Sequence, residues 1–281
     1  MPATDWEWDD TLFSGSAPYY RRGRLPYAPG LVDALAEELA LDGHGRLIDM
    51  GCGPGTLALD LAHLFGETVG LDPDGGMIAE AERGAAGLGL RDRTRWVRAR
   101  AEELPAGLGT FTVAAFGQSF HWMDQELVAA AVRDMLVPGG ALAHVSDAKN
   151  ESWPLDGLPH PPVPYAAIGE LVARRLGPVR RAGRGTLPQG TPGGEAAVLA
   201  RAGFRGPRRR IVPGGQALER TCDDVVAWVF SMSYSAPHLF GARRGDFESE
   251  LRALLWEASA SGRFSERRPS TECVIWRTPT A

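Results

Sequence analysis

Leu47-Ile48-Asp49-Met50-Gly51-Cys52-Gly53-Pro54-Gly55-Thr56-Leu57 is the stretch around which the chain is organised. The run Arg46-Leu47-Ile48-Asp49 is brief and apolar, as a central parallel strand covered on both faces must be. Gly51, Gly53 and Gly55 allow a sharp turn and a close approach of backbone to a ligand. Beyond them Leu57, Leu61, Leu64 and Phe65 recur at helical spacing, which predicts a helix over 56–65. A helix that opens on a glycine turn presents free backbone N–H groups to a polar ligand. One nucleotide-binding reading fails at once. A dinucleotide fingerprint counted from Gly51 needs its third glycine at position 56, and Thr56 stands there.

Outward from this turn, helix and strand patterns alternate. Upstream, 29–41 reads as a helix with Leu31, Leu35 and Leu39 on one face and Pro29 near its start. Downstream, 67–72 is a second strand ending in Asp72. An acid at the carboxyl end of that strand can hydrogen-bond both ribose hydroxyls of a nucleotide cofactor. Asp-Pro also opens helices, so Asp72 has a competing reading as an N-cap, with Asp74 a second capping candidate. A helix over 77–85 carries Met77 in its first turn. Further strands follow at 95–99, 112–116 and 141–146. Between the last two, 125–136 is a helix closed by Val137-Pro138-Gly139-Gly140. His144, inside a strand, reads as a core histidine.

Composition narrows the class. At 281 residues the chain can bury a sizeable core, and one α/β core with an added cap is expected. The formal charge of −5 offers no general attraction to nucleic acid. Basic residues are almost all Arg, with Lys149 the only lysine. Cys52, Cys222 and Cys273 are far apart and no Cys/His spacing matches a zinc site, so no metal is expected and reduced thiols in a cytoplasmic protein are. The N-terminus lacks an apolar h-region, and no apolar run is long enough to span a membrane.

The pattern Asp49-x-Gly51-x-Gly53-x-Gly55 resembles motif I of the class I S-adenosylmethionine (SAM) methyltransferases. Arg100-Ala101-Glu102-Glu103-Leu104-Pro105 resembles that family's Asp-Ala-Glu-x-Leu-Pro segment, with Arg100 in place of the usual acid or small polar residue. Gln118-Ser119-Phe120-His121-Trp122 resembles the Gln-x-Phe-His-Trp loop of its small-molecule branch, and Leu136-Val137-Pro138-Gly139-Gly140 a further family hallmark. The Asn/Asp-Pro-Pro-Tyr loop of enzymes that methylate adenine N6 or glutamine amides is absent. The resemblance covers about residues 19–147 well. It implies a Rossmann-like, seven-stranded, mostly parallel sheet with helices on both faces, plus a helical cap or insert. It implies SAM as cofactor and S-adenosylhomocysteine as product. Asp49, Gly51, Cys52, Gly53 and Gly55 would hold the methionine part, and Asp72 with Pro73 the ribose. Met77, Ala101 (through its backbone) and Glu102 would surround the adenine, and the Gln118 backbone would meet the methionine end. Tyr19, Tyr20 and Tyr27 resemble a lid segment and, with Phe120, His121 and Trp122, would contact substrate.

The remainder is looser. Residues 1–30 read as an aromatic N-terminal arm containing Trp6 and Trp8, and 31–149 as the SAM-binding core. Residues 150–200 are a Pro-, Gly- and Arg-rich insert with a helix over 166–176. Residues 201–281 supply the last two strands, near 204–212 and 272–276, with helices between them as a substrate cap. Arg174-Arg175, Arg180-Arg181 and Arg208-Arg209-Arg210 are either a solvated charged surface or an anion site. The expected activity is methyl transfer to a small organic molecule by in-line displacement, with His121 or Asp147 as base where the nucleophile needs one. A SAM-binding protein that transfers no methyl, and a macromolecular methyltransferase, are the alternatives. No nucleic-acid or membrane partner is expected.

Overall fold

A computed structural model describes Asp9 and residues 11–149, 151, 153–182, 185–187 and 194–280. Trp6, Trp8 and the side chains of Arg180 and Arg181 lie outside the described residues. The chain forms two compact units. One comprises Leu25–Leu155, Gly193–Leu218 and Arg267–Ala281; the other comprises Met1–Arg24, Asp156–Pro192 and Glu219–Glu266.

The larger unit is built on a seven-stranded sheet. Strands β1 (Arg46–Met50), β2 (Glu67–Asp72), β3 (Thr94–Arg98), β4 (Phe111–Gly117) and β5 (Leu136–Asp147) lie in the order β3-β2-β1-β4-β5, all parallel. The Thr271–Arg277 strand follows antiparallel to β5, and the Arg205–Val212 strand pairs antiparallel with it at the far edge. The sheet is therefore Rossmann-like and mostly parallel, with one reversed strand. Chain order changes direction between β1 and β4, the crevice where such sheets bind ligands.

Alternation along β1 sends neighbouring side chains to opposite faces. Leu47 joins Leu31, Leu35, Leu57 and Phe65 on one side, while Ile48 and Met50 join Phe116, Val128 and Val132 on the other. Two apolar layers thus sandwich a sheet whose central strands are mostly buried. Helix α1 (Ala17–Gly23) belongs to the smaller unit; α2 (Leu31–Leu39), α3 (Thr56–Leu61), α4 (Gly75–Gly87) and α5 (Gln125–Met135) belong to the larger. Asp74 caps α4, accepting from the Gly76 and Met77 N–H groups, so the capping role falls to Asp74 and not to Asp72. Asp124 caps α5 through Leu127 N–H. The Pro138-Gly139-Gly140 stretch does not stand outside the strand as a closing turn. It is absorbed into β5, where a register shift between Phe111 and Val113 of β4 accommodates it.

The arginine run of the Arg205–Val212 strand is neutralised locally. Arg208 pairs with Glu38, Arg209 with Glu272 and Arg210 with Glu37. Exposed pairs of this kind contribute little to stability, but they leave no unopposed cationic patch here.

In the smaller unit, Thr221 and Asp224 form a capping box at the head of the Cys222–Phe230 helix. That helix, with the Tyr165–Leu176 and Arg244–Ala258 helices, encloses Ile168, Val226, Phe230, Phe247 and Leu251. α1 packs closely on it: a Cβ at Gly23 would meet Ala227 backbone at 2.4 Å. Arg220 is 6% exposed and pairs with Glu266 at 2.8 Å, while donating to the Gly23 and Asp224 carbonyls. The N-terminal segment, read from sequence as an arm of no fixed periodicity, contains this short helix.

All three cysteines are buried and unpaired, Cys222 in the smaller unit and Cys52 and Cys273 in the larger. Burial raises each thiol pKa, that of Cys273 to about 12. No helix among the described residues is long and apolar enough to cross a membrane, and none of their acidic, His and Cys side chains form a group suited to a metal ion.

Candidate cofactor site at the carboxyl ends of β1, β2 and β4

The turn after β1 is held from three directions. Cys52 N–H donates to the Leu71 carbonyl at 3.0 Å, tying the turn to β2. Ser119 Oγ donates to the Met50 carbonyl, tying it to the loop after β4. Gly53 N–H donates to Asp72 Oδ2 at 2.9 Å. Gly51, Gly53 and Gly55 all have positive φ, at 64°, 54° and 77°, a conformation that L side chains resist. Their surroundings differ. A Cβ on Gly51 would strike Ser119 at 2.8 Å and one on Gly55 would strike Trp96 at 2.7 Å, but one on Gly53 would meet nothing within 4 Å. Gly53 is the turn glycine that faces open space.

Two buried carboxylates adjoin it. Asp49 is 1% exposed; its Oδ2 accepts from Ala58 N–H at 3.1 Å, and its Oδ1 is buried without a partner. Burial, and then the neighbouring Asp72, raise its pKa to about 7. Asp72 accepts from Gly53 N–H and, through Oδ1, from Asp74 N–H at 2.9 Å. Burial outweighs those two bonds and lifts its pKa to about 6. Buried carboxyls whose charge is under-compensated by the protein, one with an orphaned oxygen, suit a ligand bringing a cation and hydroxyl donors.

Met77 and Ala101 are buried in the same unit, at 2% and 3% exposure. The Pro73 carbonyl accepts from Arg98 Nε. Glu102 has a structural partner: its Oε1 accepts from Asp124 N–H at 2.8 Å, which fixes the start of α5. Gln118 sits at φ 54°, its N–H on the Val145 carbonyl and its Nε2 donating to Asp147 Oδ2 at 3.3 Å. A non-glycine residue held in that region at the end of a strand marks a loop that its surroundings over-determine.

The short Phe120–Trp122 turn separates its three rings. Phe120 is turned into the core against Phe116 and His144. His121 and Trp122 lie side by side, ring centroids 5.2 Å apart. Burial, then Lys149, lowers the His121 pKa to about 4, so its imidazole is neutral at physiological pH. Tyr27 reaches this region: its hydroxyl lies 2.9 Å from where a Cβ on Gly117 would stand. Tyr19 and Tyr20 belong to the other unit, Tyr19 against Phe230 and Tyr20 against Phe13 and Arg24.

Three residues of this region were not singled out as site residues from sequence. Ser119 and Trp96 brace the turn. His144 is buried between Phe116 and Phe120, with Glu195 3.6 Å from its Nδ1 and its Nε2 unpartnered. Trp96 had a readable signal: Gly70 in the middle of strand β2 marks a close approach, and the indole is what approaches.

Residues 47–140 match the family model of a methyltransferase domain. An uncharacterized methyltransferase of Mycobacterium bovis is 30% identical over 184 residues, 64% of this chain and 66% of that protein. A malonyl–acyl-carrier-protein O-methyltransferase of Enterobacter lignolyticus is 30% identical over 172 residues, 60% of this chain and 63% of that protein. The alignments thus span slightly under two thirds of these relatives. Among solved structures, a candidate methyltransferase from Bacillus halodurans superposes with TM-score 0.51 at 16% identity, covering 89% of this chain and all of that one (100%). A candidate type II methyltransferase from Anaeromyxobacter dehalogenans gives 0.50 at 21% identity, covering 91% and 99%. At those identities the structures speak for the fold alone. Motif, sheet order and family match coincide on the same residues: the stretch 47–140 matches a methyltransferase domain and is carried on a Rossmann-like, mostly parallel sheet.

Proposed function

We propose that the protein transfers a methyl group from SAM to a small organic molecule by in-line displacement. The observation that carries this reading is Gly53, whose N–H is held by Asp72 while a Cβ on it would meet nothing beyond its chain neighbours within 4 Å. The orphaned Asp49 Oδ1 suits an ammonium group, and Asp72 suits ribose hydroxyls in exchange for its backbone donors. Met77 and Ala101 offer an apolar face to the adenine. Glu102 reads the base only with the oxygen not engaged by Asp124. Cys52, Pro73, Gly51 and Gly55 contribute backbone and shape, and Gln118 its backbone.

SAM, when bound, supplies a methyl carbon activated by the sulfonium. The chain must hold a nucleophile about 3–3.5 Å from that carbon and in line with it, and exclude water. His121, neutral because it is buried, can accept a proton from a hydroxyl or an acidic carbon. Asp147, at the end of β5 and tied to Gln118, is the second acceptor. Trp122 and Tyr27 are pocket walls in this reading, with Phe120 acting from the core behind them. The malonyl-group methylation named for one relative makes a carboxylate a chemically reasonable acceptor. Such a nucleophile needs no base. Three unpaired thiols suit a cytoplasmic setting.

The test is thermal unfolding with SAM, S-adenosylhomocysteine and NAD added separately. Ligand at 100 times its Kd stabilises by about 2.7 kcal/mol, enough to move the midpoint by degrees. A shift with the first two and not with NAD, lost in Asp72→Ala, supports the cofactor. No shift at millimolar SAM refutes it. Release of S-adenosylhomocysteine with a labelled methyl product then separates a transferase from a protein that only binds SAM.

A further inference from the structure

Strand β3 forms the edge of the sheet, and its Trp96 faces two environments. The benzo edge of the indole covers glycines. A Cβ at Gly70 would fall 2.3 Å from Cζ3 and 2.4 Å from Cε3, and one at Gly55 would fall 2.7 Å from Cη2. Gly55 closes the cofactor turn, and Cys52 Sγ is 3.0 Å from the same Gly70 position. Trp96 is therefore the buttress on which the glycine turn rests. Trp96 also lines a groove of about 470 Å³, walled by Ala79, Ala85 and Ala86 of α4 and rimmed by Glu82, Arg83 and Arg91. That volume is within the range of small-molecule sites, roughly 300–1,000 Å³.

The lining has a definite chemistry. Three alanines and an indole make an apolar slot suited to a flat ring. Arg83 is engaged by Glu80. Arg91 has no ion-pair partner among the described residues and is exposed, with Glu82 on the same rim. One uncommitted guanidinium beside one carboxylate accepts a single negative charge and disfavours a phosphate. The indole nitrogen stands across the ring from the benzo edge. Its N–H is buried and unpartnered, closed to a ligand in the groove, so recognition there rests on the apolar lining and Arg91.

We propose that this groove is a second, non-cofactor binding site for a planar aromatic monocarboxylate, and that Trp96 passes its occupancy to the glycine turn. The first half is independent of the proposed activity; the second rests on the cofactor reading. A ligand that orders the indole orders the surface against which Gly55 and Gly70 pack. Cofactor binding to an already ordered turn then loses less freedom, and the two ligands favour one another.

The experiment uses the full chain and the indole N–H signals of a two-dimensional nitrogen–proton NMR spectrum, with the Trp96 signal identified by its loss in Trp96→Phe. The probes are indole-3-acetate and, as its neutral counterpart, indole-3-acetamide. The expected result is a saturable shift of the Trp96 signal by the acid, with Kd about 1 mM or tighter, as its atom count allows. Binding weakens about fivefold or more for the amide and in Arg91→Glu, the scale of losing one charged contact. It disappears in Ala86→Phe, which fills the slot. Absence of a saturable Trp96 shift, or equal binding of acid and amide, overturns the site. Calorimetry of S-adenosylhomocysteine with and without saturating indole-3-acetate tests the link. A tightening of about twofold or more, matched by the same factor in the reverse titration, is expected. Unchanged affinity overturns the coupling while leaving the groove. Failure of S-adenosylhomocysteine to bind the native chain overturns the cofactor reading and the coupling with it, and the NMR titration still decides the groove.

Discussion

Asp72 Oδ2 accepts a hydrogen bond from the N–H of Gly53 at 2.9 Å, joining the end of β2 to the turn that follows β1. The contact makes one carboxylate both a structural clamp and the proposed ribose ligand. The isosteric Asp72→Asn keeps one acceptor but turns an N–H₂ group toward a backbone N–H, so one buried donor loses its partner. A loss of about 1–3 kcal/mol in stability is expected. Affinity for S-adenosylhomocysteine should fall about tenfold or more, as charge-assisted bonds to the ribose become neutral ones. Urea unfolding and calorimetry read the two effects separately.

Asp49 gives the protein a pH signature. Its pKa is about 7 when folded, against an ordinary carboxyl value when unfolded, so the folded state binds the extra proton across the interval between them. Stability contributed by Asp49 is therefore present at low pH and declines as pH rises toward 7. An ammonium group on Oδ1 favours the ionised form and acts in the opposite direction. Cofactor affinity should rise with pH up to about 7 and then level, with proton release on binding near pH 6. Asp49→Asn should flatten both profiles. Calorimetry in buffers of different ionisation enthalpy measures the proton release.

The turn glycines should not respond alike to alanine. Gly53→Ala adds a methyl to open space, so the fold loses only the strain of a positive φ, about 1 kcal/mol, while the methyl enters the ligand's place. Gly70→Ala drives a methyl into the Trp96 ring and should destabilise by about 1–3 kcal/mol or more. Melting temperature against S-adenosylhomocysteine Kd should separate them: Gly53→Ala loses binding with little melting change, and Gly70→Ala melts early.

His121 has its pKa depressed to about 4 by burial, so it is a competent proton acceptor at any pH well above that value. With an acceptor substrate that ionises in the reaction, His121→Gln should lower the rate about 10²–10⁴-fold and leave S-adenosylhomocysteine affinity unchanged. The acid limb attributable to His121 should lie near pH 4, with a plateau above pH 5. A carboxylate substrate should be indifferent to the substitution. Rates measured with two acceptor classes make the distinction.

In the smaller unit, Arg220 is enclosed with Glu266 and bonded to two carbonyls. Arg220→Ala leaves the half-buried Glu266 carboxylate with the Tyr165 hydroxyl but no cation, and should destabilise by up to about 3 kcal/mol. Thermal unfolding followed by circular dichroism should show the loss.

The first half of the sheet was legible because its signals are local. Strand, glycine turn and helix follow one another within residues 46–61, and Asp72 stands where the next strand ends. What could not be read depends on partners far along the chain. Arg208, Arg209 and Arg210 read as either a solvated surface or an anion site, and it is Glu37, Glu38 and Glu272 beside them that make the run a neutralised surface. Helix α1 is held by Ala227 and Phe230, more than 200 residues away in sequence, and its own stretch has too few turns to show a period. Phe120 and His121 are adjacent, yet one faces the core and the other Trp122, a choice made by where β5 places His144.

The three buried thiols divide between the two units, and that division makes the chain its own stopwatch. A protonated, enclosed thiol reacts with an alkylating reagent only when its surroundings open. Labelling of Cys222 therefore times the opening of the smaller unit, and labelling of Cys273 the opening of the sheet. Cys52, set in the glycine turn itself, times the turn. Peptide mass spectrometry of a labelling course would follow all three clocks in one sample, without a single engineered residue.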